Sequence, residues 1–246
     1  QILAWITPVI WPFLRVLALL GTLPVIGQRT VPARARVALA FLIAICAQAS
    51  LPPIPPIPLD SAVTFLVVLQ QIVIGVSLGF AVRIVFAAVE FAGELVGLQM
   101  GLNFAGFFDP ATGGQTTAVS RFFGVTVSWL FIVTGGHLLV IAGVMQSFHS
   151  FPVNPEPFAF VKEVLPHRWG AEVFAIGLWI ALPMVAMLLF VNLVMGITSR
   201  VAQQLNLFAI GFPITLSVGL IGVLLTLPMM QAPFTMALER MLQHFQ

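Results

Sequence analysis

Apolar runs dominate the chain, near 2–26, 37–51, 61–82, 84–108, 122–148, 171–198 and 207–230, with short polar breaks between them. A helix that crosses a bilayer needs about 20 apolar residues, and most of these runs meet that length. The second run is short, and the fourth carries Glu90 and Glu94. The pattern therefore predicts an all-α, polytopic membrane protein of about six or seven long helices. The first run lacks a basic segment ahead of it and continues past Arg15, so it reads as a spanning segment that directs insertion rather than as a secretory signal.

The breaks carry topology. Arg29, Arg34 and Arg36 fall between the first two runs, which assigns that connection to the cytoplasm. Pro52-Pro53-Ile54-Pro55-Pro56-Ile57-Pro58 removes backbone donors and fixes φ, giving an extended spacer. Arg83 returns the chain to the cytoplasmic side. Beyond it, Arg121 and Arg200 favour one orientation and Lys162, Arg168 and Arg240 the other, so charge does not decide. The polar stretch 149–170 is too short to be a domain, and a single membrane domain over 1–246 is the economical reading.

Composition sharpens this. Of 246 residues, 60% are hydrophobic and 7% charged, against roughly 25% charged in soluble domains. The mean hydropathy of +1.09 points the same way. The net charge of +2 comes from scattered residues, with no run dense enough to hold nucleic acid. Cys46 stands alone in an apolar run, which offers no internal disulfide or thiolate metal site and reads as a small core hydrophobe. His137, His149, His167 and His244 have no metal-ligand spacing, and no nucleophile or phosphate-loop motif occurs. The expectation is a protein that is not an enzyme and takes no cofactor or metal.

The stretch 83–110 holds the most distinctive chemistry. On a helix, Arg83, Glu90, Glu94, Gly97 and Gly101 fall on one face. Gly93, Gly97 and Gly101, spaced by four, allow close approach of another helix or subunit, and Gly75 and Gly79 repeat the spacing. Acids in an apolar helix need partners. Arg83, Glu90 and Glu94 read either as an interhelical polar contact or ion path between subunits, or more plainly as a local pair of the acids with Arg83 or a solvated interfacial face. Phe104, Phe107 and Phe108 follow, where Asp109-Pro110 disfavours helix, and Ala111-Thr112-Gly113-Gly114-Gln115 is polar and glycine-bearing. By composition these phenylalanines read as an apolar anchor. Arg15, beside Trp11 in an apolar helix, suits snorkelling or a cation–π contact. Gln70, Gln71 and Asn192 suit interhelical hydrogen bonds.

Ala92-Gly93-Glu94-Leu95-Val96-Gly97-Leu98-Gln99-Met100-Gly101-Leu102-Asn103-Phe104, followed by Asp109-Pro110, closely resembles a signature of the flagellar biosynthetic protein FliR family, which includes the corresponding export-gate subunits of type III injectisomes. Leu14-Arg15-Val16-Leu17-Ala18, Arg29-Thr30-Val31-Pro32-Ala33-Arg34, Gly136-His137-Leu138 and Phe208-Ala209-Ile210-Gly211-Phe212-Pro213-Ile214-Thr215-Leu216 agree in order, so the resemblance covers essentially the whole chain. Two positions depart: Gly135 where the family often has Asn, and Gln203 where it often has Pro.

The resemblance implies an export-gate subunit in the bacterial inner membrane, at the flagellar basal body. Its implied partners are FliP and FliQ homologues, a FlhB homologue and unfolded export substrates, besides the lipid bilayer. It further implies helical hairpins in a pore-like hetero-oligomer, a FliP-like part followed by a FliQ-like part, with some hairpins raised toward the periplasm. In this picture the loop after Gly-Leu-Gln-Met-Gly is a pore plug, which gives Phe104, Phe107 and Phe108 a role other than anchoring. A secondary transporter for a small solute is the alternative from another class.

Overall fold

The structure is a computed structural model that describes residues 2–52, 57, 61–102, 117–156, 160, 169–201 and 207–245. All regular structure among the described residues is helical: α1 Ile2–Thr22, α2 Ala33–Ala47, α3 Ala62–Gln99, α4 Ala118–Val133, α5 Gly136–Ser150, α6 Gly170–Val201, α7 Leu207–Thr226, a 3-10 turn Leu227–Met230 and α8 Gln231–Gln243. Among the described residues three segments are long and apolar enough to cross a membrane, Val63–Gln99, Gly170–Val201 and Ile210–Gln243, or four if the bent pair α4–α5 counts as one. The predicted class holds: an all-α polytopic membrane protein.

Several boundaries differ from those read in the apolar pattern. The runs 61–82 and 84–108 form one helix, α3, up to Gln99. Arg83 interrupts the apolar pattern without interrupting the backbone, because arginine is a good helix former and no proline stands nearby. It lies on an exposed stripe of α3 with Ile72, Val76, Phe80 and Glu90. Conversely, the run 122–148 breaks into α4 and α5, bent by 68°. Gly135 sits at the break with φ of +73°, a left-handed conformation. Glycine and asparagine are the residues that adopt it most readily.

α8 was not visible as an apolar run, since Gln231, Glu239, Arg240 and Gln243 dilute it. It is amphipathic instead, burying Phe234, Ala237, Leu238, Met241 and Leu242 at helical spacing. Cys46 is exposed on α2, not a core residue. Its neighbour Ala47 occupies the inward position.

The chain divides into two compact units: Gln1–Val85 with Phe131–Gly170 and Ala237–Gln246, and Phe86–Leu130 with Ala171–Met236. In the first unit α1 approaches α3 at two glycines. A Cβ on Gly75 would meet the Arg15 carbonyl and stand 2.8 Å from the Ala18 Cβ, and one on Gly79 would strike the Thr22 side chain. Phe13 of α1 meets Phe41 of α2 edge-on, with centroids 6.3 Å apart.

The centre of this unit is polar. Arg15 is fully buried, so it does not snorkel. Its Nε donates to Gln71 Oε1 at 2.7 Å. Its Nη1 donates to Ser147 O at 2.8 Å and Ser147 Oγ at 3.0 Å, and its Nη2 to Phe151 O at 2.9 Å. The guanidinium also lies 3.7 Å from the centroid of the Phe148 ring, which realises the cation–π expectation with a partner remote in sequence. Gln71 passes the network on, donating to Gln70 Oε1 at 2.7 Å. Gln70 in turn donates to Asn154 Oδ1 at 2.7 Å and Pro152 O at 3.1 Å. Asn192 is exposed on α6 and takes no part.

Arg15→Met keeps the aliphatic reach but strands these acceptors. It is expected to destabilise the chain by about 3 kcal/mol, lowering the melting temperature in detergent by about 5–10 °C. Arg15→Lys should fall between, since ammonium cannot serve all three directions at once. A melting curve for Arg15→Met that overlays the parent's would show the network to be dispensable.

Candidate functional site

The candidate site is where α3 ends and α4 begins. α3 closes by a paired hydrogen-bond pattern, with Gly101 N donating to Leu98 O at 3.0 Å and Leu102 N to Gly97 O at 3.1 Å. This closure needs a left-handed residue between the two bonds, and Gly101 supplies it with φ of +80°. Gly101 is thus required for its backbone conformation, a different demand from the one its place in the glycine spacing suggested.

α4 begins on Thr117, whose Oγ1 accepts from Ser120 N at 3.1 Å, the N-cap geometry. Glu94 joins the two helix ends. Its Oε2 accepts from Thr117 N at 3.1 Å and from Thr117 Oγ1 at 3.0 Å. A carboxylate suits this position, because the first N–H groups of a helix have no intrahelical acceptor and carry partial positive charge. One turn further along, Ser120 Oγ donates to the Glu90 carbonyl at 2.9 Å.

The glycines let this happen. A Cβ on Gly97 would lie 2.7 Å from Thr117 Oγ1, and one on Gly93 2.8 Å from the Ser120 Cα. One on Gly124 of α4 would come 3.0 Å from Glu90 Oε1. The pairs 97/117, 93/120 and 90/124 run in opposite directions along the two helices, so α3 and α4 form an antiparallel hairpin with 103–116 as its connection. Within the chain, then, the neighbour that Gly93 and Gly97 admit is α4. Beside the hairpin's end, Leu102, Val119 and Phe122 line an apolar cavity of about 430 Å³ with Leu216, Leu220 and Val223 of α7.

Of the residues singled out in the sequence, Gly93, Gly97 and Glu94 meet at this junction. Glu90 is exposed but contributes its carbonyl, and Arg83 is exposed on α3. Phe104, Phe107 and Phe108 lie outside the described residues. Thr117 and Ser120 were missed. Their signal was present as a hydroxyl three residues ahead of another at the start of an apolar run, the pattern of a helix N-cap.

The model of a family described as bacterial export proteins, family 1, matches residues 6–241. The chain belongs to that family. It is 40% identical over 234 residues to the flagellar biosynthetic protein FliR of Escherichia coli (strain K12), covering 95% of this chain and 89% of the relative. It is also 40% identical over 225 residues to FliR of Pectobacterium carotovorum subsp. carotovorum, covering 92% and 86%. FliR of Aquifex aeolicus (strain VF5) is 33% identical over 218 residues, covering 88% and 84%. The α3–α4 junction therefore belongs to a bacterial export protein matched along nearly its whole length.

In this export-family chain, Thr117→Val is expected to cost about 2 kcal/mol through loss of the cap and of the bond to Glu94. Thr117→Ser should restore most of it. Gly97→Leu should cost more, since its side chain collides with Thr117. Equal thermal stability of Thr117→Val and Thr117→Ser would remove the hydroxyl from the account of the junction.

Proposed function

We propose that this chain builds, with FliP and FliQ homologues, the channel through which unfolded flagellar proteins cross the inner membrane. A FlhB homologue is the further partner. Whole-length likeness to proteins named FliR supports a place in the flagellar export apparatus, and the apolar helices make it a membrane component of that apparatus. The Phe-rich connection 103–116 is proposed as the plug.

The observation that carries the plug reading is the clasp at its base. Leu102 and Thr117, which bracket the connection, are both bound to α3, at Gly97 and Glu94. A channel that passes an extended polypeptide must not leak ions when idle. A narrow apolar constriction meets both needs, because ions cannot enter it without shedding hydration. Phenylalanine is bulky and offers water no donor.

The length of α3 supports a further part of the reading. Its 38 residues extend about 57 Å, nearly twice the roughly 30 Å of a hydrocarbon core. We read the excess as helix standing clear of the bilayer, in keeping with hairpins raised toward the periplasm. The transporter alternative draws only on the broken pair α4–α5, since transporters build midplane sites from discontinuous helices. Co-isolation separates the two: a gate subunit comes with FliP-like and FliQ-like proteins, a transporter comes alone.

Replacing both Phe104 and Phe107 with Gly is expected to open an ion leak in the assembled complex, while Phe108→Gly has a smaller effect. Membrane conductance, with complex abundance measured in parallel, checks this. A fully assembled double variant as ion-tight as the parent would return these residues to the role of anchors.

A further inference from the structure

The connection between α1 and α2 and the first turn of α2 carry Arg29, Arg34 and Arg36, while residues 1–59 contain no Asp or Glu. None of the three arginines makes an ion pair among the described residues. Arg29 and Arg34 are exposed. The Arg36 Nε is buried and has no hydrogen-bond partner among the described residues. Of these charges Arg34 lines a shallow groove of about 470 Å³, together with Phe13 of α1 and Ala33, Val37, Ala38 and Phe41 of α2. Arg34, Val37, Ala38 and Phe41 follow the i, i+3, i+4, i+7 spacing of one helix face. The groove thus runs for about 10 Å from a cationic end along a purely hydrocarbon wall. Val37 and Phe41 are themselves exposed, so it opens to the surface.

We propose that this groove binds an anionic phospholipid, its phosphate on Arg34 and an acyl chain along Val37, Ala38 and Phe41, with Arg29 and Arg36 adding positive charge on the same stretch of chain. The chemistry selects this occupant over others. A free phosphate would satisfy the arginines and leave the groove unused. A zwitterionic lipid would fill the groove but gain little net attraction from a cationic end. An acidic peptide would reach the arginines, yet its backbone N–H and C=O groups would find no partner against the hydrocarbon wall. The arginine-rich connection is also the one assigned to the cytoplasmic side, where anionic lipids give the membrane surface its negative potential.

The test uses the full chain in detergent, titrated with phosphatidylglycerol and with phosphatidylcholine of the same acyl chains, bound lipid being counted by native mass spectrometry. Phosphatidylglycerol should be retained in clear preference, more strongly at low salt. Arg34→Gln should weaken it about fivefold, the share of one arginine near an anionic surface. Val37→Trp, which fills the groove without touching a charge, should abolish retention while the helical circular dichroism spectrum is unchanged. Equal retention of the two lipids would overturn the proposal. So would full displacement by equimolar inorganic phosphate, displacement by a glutamate-rich peptide, or parental retention in both variants.

Discussion

A guanidinium removed from water is the constraint around which the first unit is organised. Its ionised form cannot sit among apolar side chains unless its N–H groups meet acceptors. Arg15 of α1 meets this need with Gln71 of α3 and with the Ser147 and Phe151 carbonyls at the end of α5. Three stretches far apart in sequence are thereby held to one point, each with little freedom in register. Gly75 then becomes necessary as well, since α3 must come close enough to α1 for Gln71 to reach, and any larger residue would meet the Arg15 backbone. The polar interaction sets the distance, and the small residue permits it.

The second unit applies the same coupling to a carboxylate. Glu94 reaches the start of α4 because Gly97 and Gly93 let α4 lie against α3. Gly101 ends α3 just beyond, so the chain leaves the helix at the place where Thr117 brings it back. Helix end, close approach and cap are mutually dependent. Shifting the closure by one residue would turn the point where the chain leaves α3 by about 100° around the helix, away from the side on which Glu94 meets α4.

Much of this was legible in the sequence, and the gaps have physical causes. Apolar runs located the long helices, because lipid-compatible length and composition leave a strong pattern. The pattern failed where composition and backbone disagree. Arg83 breaks hydropathy but not hydrogen bonding, so α3 was divided. Thr134-Gly135-Gly136 breaks hydrogen bonding but hardly hydropathy, so α4 and α5 were merged. α8 hid because an amphipathic helix averages to moderate polarity. Gly93 and Gly97 were recognisable as points of close approach, but spacing alone does not say which helix approaches. Of the two readings of Arg15 the cation–π contact holds and snorkelling, suggested because an isolated arginine in an apolar helix looks like a residue seeking water, does not. Its acceptors lie more than fifty residues away.

Arg15, buried, and Glu94, half-buried, share a solution that explains how so apolar a chain tolerates them. Neither is held by an opposite charge in the bonds described. Arg15 sits at the C-terminal end of α5, where carbonyls lack intrahelical donors and the helix dipole is negative. Glu94 sits at the N-terminal end of α4, where N–H groups lack acceptors and the dipole is positive. In each case a stranded backbone group and a desolvated ion satisfy one another. The arrangement suits a protein proposed to border a polypeptide channel. An ion pair between side chains can be opened by a competing salt ion or by a charged residue of a passing chain. A charge locked onto a helix terminus can be displaced only by fraying the helix itself.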